Sequence, residues 1–206
     1  SFTRFGHFEI FASRGEQALL VQLVDFTIAR DFPELAGPPA QVYADWYTEI
    51  CVRTARLMAE WMRVGFVHGV MNTDNMSVLG LTIDYGPYGW IDDYDPAWTP
   101  NTTDAQGRRY CFGRQPPIAR WNLERLGEAL SSLLSREDIN SGLTAYDTTF
   151  AECILAGMAA KFGFAAMADT DADLVNDAFA LMQRAEVDMT EFFRCLAMLD
   201  VSAPDM

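Results

Sequence analysis

The chain has 206 residues, half of them hydrophobic and 13% aromatic, enough for one large domain or two small ones with a real core. Fifteen basic residues against 29 acidic ones give a formal charge of −14. This acidic balance argues against a nucleic-acid surface or an anionic-membrane surface, which would need clustered Lys and Arg, and no apolar run is long enough to predict a membrane-spanning helix.

The first half of the sequence begins with an apolar segment and continues with two helical patterns. The segment FTRFGHFEIFAS alternates weakly, which favours an extended strand with His7 as a packing residue. Residues 15–31 carry Leu, Val and Ile at helical spacing. Residues 40–63 form the clearest predicted helix, with one wide apolar face and one charged face, and Gly65 follows at the expected C-cap position.

A polar region separates these helices from a second helical part. The runs MSVLG and LTIDYG meet at Gly80 and predict a small hairpin. Residues 87–117 predict a long loop rich in Pro, Gly and Asp, and loops of that length are usually functional or held by partners. Helical patterns return over residues 118–134, 145–163, 171–185 and 189–199. The sequence therefore predicts a mainly α fold with a small β-hairpin.

Two oxygen-bearing side chains lie at the ends of the predicted hairpin. Asn75 precedes its first strand and Asp84 ends its second. A tight hairpin brings its ends together, so the amide oxygen and the carboxylate could hold one Mg²⁺, which prefers oxygen ligands and keeps phosphates and water as further ligands. Protein kinases place a catalytic-loop Asn and the Asp of Asp-Phe-Gly in this way. Here Asp84-Tyr85-Gly86 takes the place of Asp-Phe-Gly.

The comparison with kinases fails at the catalytic base. In kinases an Asp five residues before the Asn accepts the proton of the substrate hydroxyl, and that position holds Val70, which can accept none. The carboxylate is found instead at Asp74, beside Asn75. Either the site is inactive, or Asp74 acts as the base from another direction. A structural alternative is that these Asn and Asp residues simply stabilise turns, and His68 is expected to donate to a nearby backbone carbonyl.

Three separated blocks carry a resemblance to a known family. The blocks SFTRFGHFEIFA, HGVMNTDNMSVLGLTIDYGPYGWIDDYDP and QPPIARWNLERLGEAL resemble the selenoprotein O family, a group of kinase-like proteins, in the right order. The resemblance covers most of residues 1–135, and its most specific part is the block from NTDNMS to DYGP. It implies the fold of a protein-kinase-like C-terminal lobe.

The resemblance also implies an activity and roles for four residues. The family binds ATP inverted relative to kinases and transfers AMP to Ser, Thr or Tyr hydroxyls of client proteins. On this basis Asp74 is the expected proton acceptor, and Asn75 and Asp84 are the expected ligands of Mg²⁺ or Mn²⁺. Asp84 is also expected near the nucleotide, and Arg4 is expected to contact the ATP phosphates.

The resemblance further implies that residues 1–206 are a single domain without the N-terminal lobe. The family's glycine-rich loop, its phosphate-binding Lys and the Glu that pairs with that Lys precede the equivalent of Ser1. Lys161, the one lysine of the sequence, lies far downstream. We therefore expect the isolated chain to bind ATP weakly and to turn over little. The alternatives are an orthodox phosphotransferase, against which Val70 counts, and an inactive pseudokinase scaffold, against which Asn75 and Asp84 count.

The cysteines and the start of the chain bear on the compartment. The four cysteines are scattered and only two histidines occur, so we expect free, mostly buried thiols in a reducing compartment and no zinc site. The first residues lack the layout of a signal peptide. We therefore expect a cytoplasmic location, with a mitochondrial address left open because the natural N-terminus is not visible.

Overall fold

The computed structural model describes residues 2–168 and 170–199, and this part of the chain is mainly helical. Three 3-10 turns lie between the regular elements, at Thr73–Asn75, Thr102–Asp104 and Phe112–Arg114. The helices and strands, in chain order, are α1 (Phe5–Ser13), α2 (Gln17–Asp31), α3 (Pro39–Val64), β1 (Phe66–Val67), β2 (Gly89–Trp90), α4 (Gln115–Ala129), α5 (Arg136–Phe162), α6 (Asp171–Arg184) and α7 (Met189–Leu196). None of the described helices combines the length and apolar character needed to cross a membrane.

The first segment is a helix, so the prediction of an extended strand was wrong. In α1, Phe5 and Phe8 are completely buried, and α1 packs against α2 and α4. A short apolar run is compatible with the period of a strand and with that of a helix. Here the helix forms because one of its faces is buried against two neighbouring helices. His7 does not pack in a strand, because its Nδ1 accepts a hydrogen bond from the Arg4 backbone N–H (3.2 Å) at the start of the helix.

The other helices are confirmed, with shifted bounds. Gly65 ends α3 in the left-handed conformation at φ 73°, as a C-cap glycine does. The prolines at 116 and 117 fit the first turn of α4, because a helix start leaves the missing proline N–H without consequence. Ser135 and Asp138 form a capping box that starts α5 nine residues before the predicted position.

The predicted hairpin at Gly80 is present only as a turn with one antiparallel bridge, and the two-stranded sheet lies elsewhere. The two halves of residues 76–84 are joined by one bridge, Met76 with Thr82, around a turn at Gly80. The turn lies against α3, where a Cβ on Gly80 would approach the Arg53 carbonyl to 2.8 Å. The Thr82 hydroxyl accepts a hydrogen bond from the Trp61 indole (2.9 Å). This segment is therefore held by α3 more than by its own ladder.

The small antiparallel sheet is formed by β1 and β2, which lie before and after that turn. Phe66 pairs with Trp90, and Val67 pairs with Gly89. The long loop prediction is confirmed for most of residues 87–114, which contain only β2 and two 3-10 turns as regular structure.

The core surrounds α3, whose most extensive helix contact is with α5. Gly142 permits the close approach, because a Cβ there would come within 2.5 Å of the Tyr47 ring. The Tyr47 hydroxyl donates to the Leu123 carbonyl (2.9 Å) and so joins α3 to α4. A second, smaller cluster packs β1 and the loop after β2 against α6 and α7, and its buried members are Val67, Ile91, Phe112, Met182 and Met189.

All four thiols are free, as predicted. Their expected burial holds for two of them: Cys51 and Cys111 are buried, Cys153 is half-buried and Cys195 is exposed. Burial raises the pKa of the Cys51 thiol to about 12.

Candidate functional site

Asn75 ends the 3-10 turn that follows β1, and its side-chain amide is held by the backbone. Its Nδ2 donates to the carbonyl of Val70 at 2.8 Å, and its own N–H donates to the Asn72 carbonyl at 3.0 Å. An amide binds a cation through its oxygen, and the contact with Val70 fixes the position of the nitrogen, so Oδ1 is the atom that Asn75 can offer to a cation. Val70 thus contributes its carbonyl to the site, while its side chain has no group that could accept a proton.

Asp84 follows the turn at Gly80 and has an uncommon backbone conformation. Its φ of 54° lies in the left-handed region, which Asp tolerates better than most residues that have a side chain. The carbonyl of the preceding Ile83 accepts a hydrogen bond from His68 Nε2 at 2.7 Å. The segment that carries Asp84 is therefore tied to the segment that follows β1.

Arg4 joins the two segments that carry the acidic residues. The chain before α1 runs beside residues 76–78, with a bridge between Arg4 and Ser77. From there Arg4 Nη1 donates to the Asp74 carbonyl at 2.8 Å and also contacts the Asp84 carboxylate, while Nη2 lies 3.2 Å from Asp84 Oδ1. One guanidinium thus brings the Asp74–Asn75 turn and Asp84 to the same place.

The Asp74 carboxylate lies directly over α1. A Cβ added to Gly6 would come within 1.9 Å of Asp74 Oδ1, so a side chain at position 6 would displace this carboxylate. The neighbouring Thr73 hydroxyl donates to the Glu9 carboxylate, which also belongs to α1. The sequence interpretation missed Gly6, although a glycine between Phe5 and His7 inside an apolar segment was a visible signal of a close approach.

His68 has the structural role that the sequence predicted. It is buried, its Nε2–H donates to the Ile83 carbonyl (2.7 Å), and its Nδ1 accepts from the Val70 N–H (3.4 Å). The ring stacks on Trp61 with centroids 5.5 Å apart. Burial lowers the pKa of His68, which agrees with a neutral ring that donates through one nitrogen and accepts through the other.

The donor set fits a magnesium ion that nucleotide phosphates help to hold. Throughout the described residues, no three His, Cys, Asp or Glu side chains are grouped so that protein alone could hold a metal ion. Asn75 and Asp84 offer one amide oxygen and one carboxylate, and Mg²⁺ is commonly held by one or two protein groups together with phosphates and water. Because Asp84 is paired with Arg4, its ligand role requires this pair to open or to share the carboxylate.

Three buried amide side chains near the site were also missed. Gln115 and Asn122 are fully buried on α4, and Asn101 is 8% exposed in the long loop. Each donates to a backbone carbonyl of residues 66–71. The signal in the sequence was an amide at a position where the pattern expects a buried apolar side chain. A buried amide needs hydrogen-bond partners, so such a position indicates a polar contact in the core.

The comparison with known proteins agrees with the sequence resemblance. The family model described as "Protein adenylyltransferase SelO" matches residues 1–204. The chain belongs to the SelO family. Among similar proteins are three named "Protein nucleotidyltransferase YdiU", from Methylobacillus flagellatus (64% identical), Tolumonas auensis (62%) and Xanthomonas oryzae pv. oryzae (58%). Each comparison covers the whole of this chain, which spans 40% of the length of each relative.

Lys161 of this SelO-family chain packs against α7. It belongs to α5, and its Nζ lies 4.0 Å from the centroid of the Phe193 ring of α7. Burial, with a smaller contribution from the charge of Arg63, lowers the pKa of Lys161 to about 8. The sequence interpretation that Lys161 does not replace the phosphate-binding lysine of the family is consistent with this packing.

Proposed function

We propose that this chain is part of a protein nucleotidyltransferase that transfers AMP from ATP to Ser, Thr or Tyr hydroxyls of client proteins. Support comes from membership of the SelO family and from the name that its relatives carry, protein nucleotidyltransferase. The observation that carries the proposal is that the Arg4 guanidinium contacts both the Asp74 carbonyl and the Asp84 carboxylate, next to Asn75 in the chain, while the base position of a kinase holds Val70.

The proposed reaction exchanges one phosphorus–oxygen bond for another. The hydroxyl oxygen of the client attacks the α-phosphorus of ATP, the bond from the α-phosphorus to the bridging oxygen breaks, and pyrophosphate leaves. Asp74 accepts the hydroxyl proton, and a well-placed base contributes about 10²–10⁴-fold to the rate. Its exposed position suits this role, because the hydroxyl belongs to another protein.

The remaining residues bind and orient the nucleotide. Asn75 Oδ1 and the Asp84 carboxylate would hold Mg²⁺ or Mn²⁺, which neutralises phosphate charge when it is bound. Arg4 would release Asp84 and donate to phosphate oxygens, for which a guanidinium is well suited. Most of the rate enhancement then comes from positioning and charge neutralisation rather than from covalent chemistry.

The proposal includes a division of work between this chain and the rest of the protein. Since the chain spans 40% of its relatives, we assign residues 1–206 to a single domain, a kinase-like C-terminal lobe, and the remaining phosphate-binding groups to an N-terminal lobe. The isolated chain would bind ATP weakly and turn over little. A cytoplasmic location, with proteins and ATP as partners, completes the proposal.

Labelled ATP tests this function in the full-length protein. The protein is incubated with client proteins, Mg²⁺ and ATP that carries its label on either the α- or the γ-phosphate. Covalent label from the α-phosphate, with release of pyrophosphate, is the expected result. Label from the γ-phosphate would instead indicate an orthodox phosphotransferase. Label from neither would indicate a non-catalytic scaffold, and both of these results would refute AMP transfer.

A further inference from the structure

The backbone that leads into the Thr73–Asn75 turn is buried but mostly irregular. In residues 66–71 only Phe66 and Val67 belong to a strand, and every residue except Val70 is buried. Backbone carbonyls that water cannot reach need donors from the protein. Because most of this segment is neither helix nor strand, the hydrogen bonds of secondary structure do not supply these donors.

Side-chain amides supply the donors along this segment. Four of its carbonyls accept a hydrogen bond from an Asn or Gln side chain, all at 2.8–2.9 Å: Phe66 from Gln115, Gly69 from Asn101, Val70 from Asn75 and Met71 from Asn122. Gln115 also accepts, since the His68 N–H donates to its Oε1 at 2.9 Å.

Helix α4 provides two of these amides on one face. Gln115 and Asn122 are seven residues apart, which is two helical turns, so both side chains point to the same side. Ala119, midway between them, is fully buried as well, and its small side chain permits a close approach of α4 to the segment. A rigid helix thus supports both ends of residues 66–71.

We propose that Gln115, Asn122 and Asn101, called the amide clamp below, are positioning residues for the nucleotidyl-transfer site. This inference rests on the proposed function. The clamp holds the carbonyls of Gly69 and Met71, on either side of Val70, and the Val70 carbonyl in turn holds the side-chain amide of Asn75.

The consequence of this chain of contacts is a fixed direction for the Asn75 oxygen. If the Val70 carbonyl moves, the Asn75 amide turns with it, and the metal ligand and the adjacent Asp74 lose their geometry. Amides suit this task because they satisfy the backbone without adding a charge beside the phosphates and the metal. A Lys or Arg donor in the same place would compete with the metal for the nucleotide.

The test uses the full-length protein with substitutions that keep side-chain size but remove the donor. Gln115→Met and Asn122→Leu are compared with Gln22→Met and Asn176→Leu, which change exposed residues of α2 and α6. Three quantities are measured well below each unfolding temperature: hydrogen exchange of the 66–72 amides, kcat for AMP transfer, and the Mg²⁺ concentration that gives half-maximal rate.

In the clamp variants we expect faster exchange of the 66–72 amides, a higher Mg²⁺ requirement, and a kcat lower by about tenfold to a hundredfold, the usual cost of losing an orienting partner of a metal ligand. The control variants should match the wild type. Asn101→Ala is the additional variant if the others do not fold, because Asn101 lies in the loop, is less buried than Gln115 and Asn122, and loses the donor to Gly69 without gaining a charge.

A clamp variant that lowers the unfolding temperature, yet keeps the wild-type kcat and Mg²⁺ dependence, would reduce these amides to a structural role and overturn the proposal. If the wild type itself transfers no AMP, the proposed function fails first. Hydrogen exchange then still tests whether the amide clamp holds this segment, and unchanged exchange of the 66–72 amides in the clamp variants would overturn that inference.

Discussion

Arg4 and Asp84 form a two-pronged ion pair between residues 80 positions apart in sequence. Their side chains are 33% and 35% exposed, so solvent screens the pair, and pairs of this kind contribute only about 0–1 kcal/mol to stability. The pair therefore places opposite charges at the proposed nucleotide site without being needed to hold the fold together. Binding of a metal-bound phosphate would separate them and give each charge a new partner.

Arg4→Gln is expected to weaken nucleotide binding while leaving stability nearly unchanged. The variant removes a phosphate donor, and from the fold it removes only a screened ion pair and an exposed hydrogen bond to the Asp74 carbonyl. The KM for ATP of the full-length protein should rise, and denaturant unfolding should shift by no more than about 1 kcal/mol. Arg120→Gln is the matched control, since Arg120 makes a similar pair with Asp147 on the α4–α5 surface. An unchanged KM in Arg4→Gln would contradict the phosphate role.

Asp84→Asn is expected to abolish transfer of the α-label to client proteins. The substitution removes the charge of the proposed metal ligand, but Asn tolerates the left-handed conformation at this position as Asp does. The circular dichroism spectrum and unfolding temperature should therefore stay close to those of the wild type. Transfer at the wild-type rate would remove Asp84 from the site.

Asp74→Asn is expected to lower the rate of transfer by about 10²–10⁴-fold, the usual contribution of a general base. Asn keeps the size and the position over Gly6 but accepts a proton poorly. Binding of Mn²⁺–ATP, followed by electron paramagnetic resonance, should persist because Asn75 and Asp84 remain. Loss of Mn²⁺ binding together with the rate would make Asp74 a ligand rather than a base.

Gly6→Ala is expected to impair the site although alanine favours helices. The added methyl group would lie 1.9 Å from Asp74 Oδ1, so the carboxylate must move and the transfer rate should fall. Gly157→Ala in α5 is the matched control, because its methyl group would meet only Arg63 Cδ at 3.8 Å, and it should stabilise the protein by up to about 1 kcal/mol. Equal effects of the two substitutions would show that Asp74 does not depend on Gly6.

The free energy of unfolding is expected to fall as the pH drops below about 6.5, the ordinary pKa of histidine. Burial lowers the pKa of His68 in the folded chain, so between this lowered value and 6.5 the unfolded state binds more protons than the folded state. Stability therefore rises with pH in that window and is complete above it. Denaturant unfolding between pH 5 and pH 8, at fixed ionic strength, measures the slope.

His68→Gln should flatten that slope, because a glutamine amide can still donate to the Ile83 carbonyl but does not titrate. His7→Gln replaces the other histidine of the sequence and serves as the control. If His68→Gln leaves the slope unchanged, or if only His7→Gln removes it, then His68 is not the source of the pH dependence.

The local sequence determined the long helices and the residue types of the site. The wide apolar stripe of α3 and its C-terminal Gly65 are short-range signals, and both appear in the structure. Asn75, Asp84 and the valine at position 70 were visible from spacing as well, since an amide and a carboxylate on either side of a short turn are a local pattern, and their role as metal ligands stays a prediction. Their chemistry was readable because it depends on neighbouring residues.

The tertiary structure decided everything that depends on contacts between distant residues. Burial against α2 and α4 made a helix of residues 5–13, and β1 found its partner beyond a turn that itself binds to α3. The pairing of Arg4 with Asp84, the fit of Gly6 beneath Asp74 and the amide clamp have the same origin. Such contacts join segments far apart in the chain, and their energies depend on burial and distance, which only the folded chain defines.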